Sequence, residues 1–219
     1  MDKIKLMNRL VLCLLLTLLA AATYAQESYW NKTDEQLSKL YRQLHSAQRF
    51  EEQTALVEQM AELACLSPDA HVRKVWTSVM QNIPRRYFSE ASKRVIREAL
   101  NEDALVTNSI VFLAGYLGMR EERQRLAQLA EREGDKASYR GVSWAAQLTL
   151  GRFGDEAWSA VAVKRIEAEK NMILKAAELS EHLAYLNRPE AMALLIDMAQ
   201  SEEYYVDGFD YGIDGGLIP

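Results

Sequence analysis

The chain has 219 residues and a formal charge of −5, with 26 Lys and Arg against 31 Asp and Glu. That acidic balance excludes sequence-independent binding to nucleic acid, which relies on a strongly basic surface. Three histidines, His45, His71 and His182, are too few for a His-rich metal site.

Residues 1–25 read as a secretory signal peptide. Lys3, Lys5 and Arg9 lead into the apolar run Leu10 to Ala22, and small residues follow in "ATYAQ", with the cut expected between Ala25 and Gln26. The run is shorter than the ~20 residues needed to cross a bilayer and no second long run follows, so no stable membrane anchor is expected after cleavage. Cys13 follows Leu12 inside the run, where lipid attachment would want a small residue before it. It leaves with the leader, so Cys65 is the only mature thiol and no intramolecular disulfide can form, although the periplasm or the exterior is oxidising. The mature chain would carry 23 Lys and Arg against 30 Asp and Glu, a formal charge of −7. About 194 residues then remain, enough for one domain or a short repeat array.

Residues 26–33, "QESYWNKT", form a short lead-in. From Asp34 onward the apolar residues follow a helical period and never a sustained alternation of two. Val106, Ile110, Leu113 and Leu117 mark one helix face, and Met172, Ala176, Leu179, Leu183 and Leu186 another. Gly118, Gly134, Gly154 and Asn187 stand where helices should stop, since these residue types accept the left-handed conformation after a last turn. Asp34, Asp69 and Asp103 are expected to cap helix starts, and Pro189 opens the last helix. The fold is therefore expected to be all-α, with helix pairs at 34–48 and 51–66, 69–82 and 89–102, 103–118 and 120–133, 136–153 and 155–169, and 171–186 and 189–203. First helices at 34, 69, 103, 136 and 171 give separations of 35, 34, 33 and 35, a step that predicts a right-handed αα-superhelix of five antiparallel pairs over 34–203.

The stretch "YRGVSWAAQLTLGRFGDEAWSAVAVKRI" resembles a HEAT-type repeat: a first helix with small residues at its close contacts, a Gly-Asp turn and a second apolar helix. Residues 103–133 and 171–200 fit the same outline, with "LGMREE" and "LNRPEA" at the turn. The step near 34 and "SAQRFEEQTALVEQMAELACLSPDA" look like tetratricopeptide repeats, although no unit carries that family's full pattern. Either resemblance implies a protein-binding scaffold with no cofactor of its own.

The tail 204–219, with Gly208, Gly212, Gly215 and Gly216 and aromatics alternating with acids, cannot continue a helix. It is expected to cap the last pair or to serve as an exposed recognition segment, and Tyr204 and Tyr205 stand at its start. The loop "IPRRYFSE" gathers Arg85, Arg86, Tyr87 and Phe88, residue types suited to partner contact, unless Phe88 packs against the next helix and the arginines are simply solvated. Arg123, Arg125, Lys164 and Arg165 are expected to be exposed on second helices.

Signals for chemistry are weak. Glu178 and His182, four apart, offer two ligands where a zinc site needs more, and read better as a helical contact. Cys65 lies near His71 but at a helix C-terminus, where the dipole opposes a thiolate, so a small buried apolar residue is expected. Ser143 in "RGVSWA" falls inside a helix, not on a strand-to-helix elbow, and Gly141 and Gly151 suit close helix approach. Asp207, Asp210 and Asp214 match neither an EF-hand nor a regular calcium repeat. No phosphate-cradling loop or dinucleotide fingerprint occurs.

The function expected from these features is a non-enzymatic scaffold in the cell envelope that holds a protein or peptide partner, with self-association as a route to covering exposed ends. The alternative is an enzyme or accessory domain acting on an envelope polymer or glycan through carboxylates such as Glu178 or Glu181.

Overall fold

The computed structural model describes residues 32–132 and 138–201, with the backbone of 205–206 and 209–210. The proposed leader, Gly134, Tyr204, Asp207 and Asp214 lie outside the described residues.

The fold is all-α, with ten helices among the described residues. These are α1 (32–46), α2 (Phe50–Cys65), α3 (Ala70–Met80), α4 (Glu90–Asn101) and α5 (Asn108–Leu117), then α6 (Arg123–Ala130), α7 (Val142–Arg152), α8 (Glu156–Glu167), α9 (172–186) and α10 (Pro189–Gln200). Short 3-10 turns at Arg85–Tyr87 and Arg120–Glu122 precede α4 and α6. Within α9 the segment Lys175–Leu179 is a π-turn. Beyond α10 the backbone pairs Tyr205 with Asp210 and Val206 with Phe209, an antiparallel ladder consistent with a tail that leaves the helical conformation.

Local chemistry explains most helix ends. Asp69 Oδ1 accepts from the amides of His71 (2.7 Å) and Val72, while Ser89, Thr107, Asp155 and Asn171 each satisfy one free amide of the helix they precede. Pro189 occupies the first turn of α10. At the far ends, Gly118, Gly154 and Asn187 adopt the left-handed conformation, with φ of 73°, 97° and 50°. "GYLGMREE", "GRFGDEAW" and "AYLNRPEA" thus make the same reversal between the two helices of a pair.

Two expected caps are spent elsewhere. Asp34 lies inside α1 and accepts from Trp76 Nε1 at 2.7 Å. Asp103 is held by Arg125 at 2.5 Å, so Thr107 caps α5, which begins at Asn108 and not at 103. Likewise α7 begins at Val142, with Gly141 as its extended N-cap. First helices therefore start at 32, 70, 108, 142 and 172, and the expected near-constant step does not hold for helix starts. The left-handed turns keep the repetition better.

The first helices pack in sequence, α3 on α5, α5 on α7 and α7 on α9, while α2 packs on α4 and α8 on α10 among the second helices. Two apolar cores result. One runs from α1 to α7 and includes Leu37, Met60, Met80, Ile96, Ile110 and Leu126; the other joins α7 to α10 through Leu148, Ile166, Leu179, Leu183 and Leu195. Helix α7 belongs to both and is buried from Ser143 to Gly151, with Ala145, Ala146 and Leu150 in the first core and Trp144 and Leu148 in the second. Such burial needs small residues at the tightest contacts. A Cβ on Gly151 would lie 2.6 Å from Leu186 Cδ1, and one on Gly115 would collide with Tyr185 Oη and Thr149 Cγ2.

Candidate functional site: a groove across three first helices

Stacking α3, α5 and α9 leaves a groove of about 680 Å³ between them. Helix α3 contributes the exposed His71, Lys74, Val75 and Ser78; α5 contributes Asn108 and Phe112; α9 contributes Glu181, His182 and Tyr185. Amphipathic spacing accounts for this set, because α3 turns Val72, Trp76 and Met80 into the core and leaves the opposite face open.

The α9 side of the groove is a fixed polar-aromatic cluster. The Phe112 ring stacks on the His182 imidazole with centroids 5.7 Å apart, and Tyr185 meets Phe112 edge-on at 4.9 Å. Trp144 Nε1 donates to His182 Nδ1 at 3.1 Å. Burial pushes the His182 imidazole down to about 4, against the opposing charge of Glu178, so the ring is neutral near pH 7. With Nδ1 accepting, the proton sits on Nε2, and His182 is a fixed donor. Tyr185 Oη donates to the Phe112 carbonyl (3.2 Å) and accepts from Thr149 Oγ1 (2.9 Å). Burial pushes this phenol up to about 12, so it too stays neutral. The π-turn of α9 lies just ahead of Glu181 and His182, a distortion that recurs at functional sites.

The residues singled out by sequence are dispersed. Arg85, Arg86 and Tyr87 form the 3-10 turn between α3 and α4, with both arginines exposed and Arg86 donating to Tyr87 Oη at 3.0 Å. Phe88 is 5% exposed and belongs to the first core, so a partner on the folded surface does not meet it. Tyr205 pairs through its backbone with Asp210. Glu178 is held by Arg140, whose hydrogen bonds keep its carboxyl below the usual range, and it does not line the groove. Cys65 is fully buried and its thiol is pushed up to about 12, as a core residue should be. Ser143 donates to the Ala130 carbonyl at 2.7 Å inside α7.

The second-helix cations do more than coat a surface. Arg123 donates to the Phe153 carbonyl (2.6 Å), Arg125 to the Leu100 carbonyl (3.1 Å), and Arg165 lies over the rings of Tyr139 and Trp144 at 4.3 and 4.7 Å. Of the four, Arg123 and Lys164 are exposed as expected, whereas Arg125 and Arg165 are half-buried.

Sequence reasoning missed the groove because its walls come from positions as far apart as His71 and Tyr185. One signal was available: two of the three histidines, His71 and His182, line it. Among the described residues no group of three or more His, Cys, Asp or Glu could hold a metal ion, and no helix is long and apolar enough to cross a membrane. No known protein family, curated protein or solved structure matches the chain.

Proposed function

We propose that the protein is a non-enzymatic scaffold, exported to the cell envelope after cleavage near Ala25, which holds a segment of a protein partner in the groove across α3, α5 and α9. In this reading the five helix pairs stack as a right-handed, HEAT-like αα-superhelix with the first helices on its inner face. The observation that carries it is the groove itself. Three different helix pairs line it, and it combines aromatic surface at Phe112 and Tyr185 with the fixed donor of His182 and the polar side chains of Lys74, Ser78 and Asn108. Donors beside aromatic rings suit a peptide, whose carbonyls accept and whose side chains pack. The two carboxylates considered for acid–base chemistry do not converge: Glu181 lines the groove, whereas Glu178 is engaged by Arg140. The last two helices leave Ile173 and Ile196 62% and 44% exposed, an apolar end that self-association would cover.

The test is site-directed photocrosslinking of the full chain in its own cells. A photoreactive residue in place of Val75 or Ser78 is expected to trap a discrete protein adduct, in the envelope fraction, that is lost in the Phe112→Ala background; the same probe at Arg94, exposed on α4, is expected to trap none. Equal labelling from Arg94, or a chain retained in the cytoplasm with its leader intact, would sink the proposal.

A further inference from the structure

A second pocket, of about 200 Å³, opens at the ends of the first helices, where Arg85, Arg120 and Arg152 line it together with Gly115, Gly118, Phe153 and Asn187. The three arginines come from three successive pairs and are set by the same relation, each reaching the last turn of the next pair's first helix. The Arg85 guanidinium lies 4.6 Å from the Tyr116 ring centroid. Arg120 donates to the Phe153 carbonyl at 3.3 Å. Arg152 donates to the Tyr185 carbonyl and lies 4.8 Å from that ring's centroid. These contacts fix the direction of each side chain and use only part of its five-donor fork.

Among the described residues the cluster carries no counter-charge, unlike the arginines that meet acids: Arg97 with Glu121 and Glu122, Arg125 with Asp103, and Arg140 with Glu178. None of Arg85, Arg120 and Arg152 is ion-paired among the described residues, and no carboxylate lines their pocket. Burial holds the Arg152 guanidinium below its usual range, Tyr185 opposes that, and the like charge of Arg85 adds to it, so the first and third arginines sense one another. Like charges held near one another disfavour the charged form of each, and an anion joining them relieves that repulsion.

We propose that this pocket binds a phosphate group, gripped by Arg85, Arg120 and Arg152. A carboxylate would leave most of the local charge uncompensated, whereas a phosphate brings up to two charges and several acceptor oxygens to donors arranged around it. The volume admits one such group and not a nucleotide. The proposal is independent of what the groove holds.

Isothermal titration of the full chain with inorganic phosphate, with glycerol phosphate and with acetate tests it. Saturable binding of at least one phosphate compound is expected, with acetate weaker. Arg85→Gln, an exposed side chain whose loss leaves the helix ends intact, should weaken that binding about tenfold or more, and Arg94→Gln, which removes the same charge from α4, should leave it unchanged. Tighter binding of glycerol phosphate assigns the site to a phosphoryl group carried on a larger molecule, and tighter binding of inorganic phosphate assigns it to the free ion. Absence of binding by either, equal binding of acetate, or equal losses in the two variants would overturn the assignment.

Discussion

The two cores solve the same problem with different chemistry. In the core of α1 to α7 a buried cation, Arg73, 5% exposed, donates to the carbonyls of Ser67 (2.5 Å), Ala104 (2.9 Å) and Leu105 (2.9 Å) and so ties the second helix pair to the loop before the third. In the core of α7 to α10 the corresponding bridge is His182, which accepts from Trp144 and is stacked on Phe112. Each side chain spans neighbouring helices and satisfies groups that water cannot reach. The arginine does so as a permanent cation, the histidine only while neutral. The choice of ionisable group therefore decides which of the two bridges responds to acid between pH 6.5 and 4.

The comparison can be broken most directly at Trp144, which is fully buried. Trp144→Ala empties the second core and removes the donor to His182, and it is expected to cost about 3–5 kcal/mol in denaturant unfolding. A loss below about 1 kcal/mol would mean that the second core is not organised around this ring. Next, Arg73→Met leaves three carbonyls without a donor and should destabilise by roughly 3 kcal/mol, with the same loss at pH 7 and pH 5, since the arginine stays charged at both.

Acid should sharpen the contrast. The folded His182 value of about 4 lies below the ordinary 6.5, so the unfolded chain takes up this proton first. Stability from this group is complete above pH 6.5, is lost as pH falls from 6.5 to 4, and changes no further below; the full loss is about 3 kcal/mol. Comparing unfolding across that window in wild type and His182→Asn isolates the effect, because the variant should lack that part of the slope. A parallel pH dependence in the two proteins would place the acid response elsewhere. The smallest effects belong to the turns. Gly118→Ala forces a side chain into the left-handed conformation at φ 73° and should cost about 1 kcal/mol, whereas Asn187→Gly, at φ 50°, should gain a few tenths. Thermal unfolding of both variants measures the difference between the two positions.

Legibility in the sequence followed the range of the interactions. Gly118, Gly154 and Asn187 were readable because a left-handed turn is decided by the residue that makes it. Asp69 was readable as a cap because the amides that donate to it are two and three residues away. Asp34 and Asp103 misled because Trp76 and Arg125, distant in the chain, claim their carboxylates, and the true cap of α5, Thr107, is a weaker-looking candidate beside them. The groove and the arginine pocket were hidden for the same reason, since each gathers residues from separate helix pairs. The arginines left a trace nonetheless: Arg120 and Arg152 stand in two of the repeated turns, and Arg85 stands in the loop "IPRRYFSE" singled out for partner contact.

Helix α7, shared by both cores, makes the two halves interdependent. A break at the exposed Gly154 would leave one piece ending in an uncovered Trp144 and Leu148, and another holding Ile166, Leu183 and Leu195 with nothing to close over. Expressed as separate fragments, these pieces are each expected to be poorly ordered alone and to recover a common structure on mixing, so that the turn after α7 is a natural seam for a split, self-complementing version of the protein.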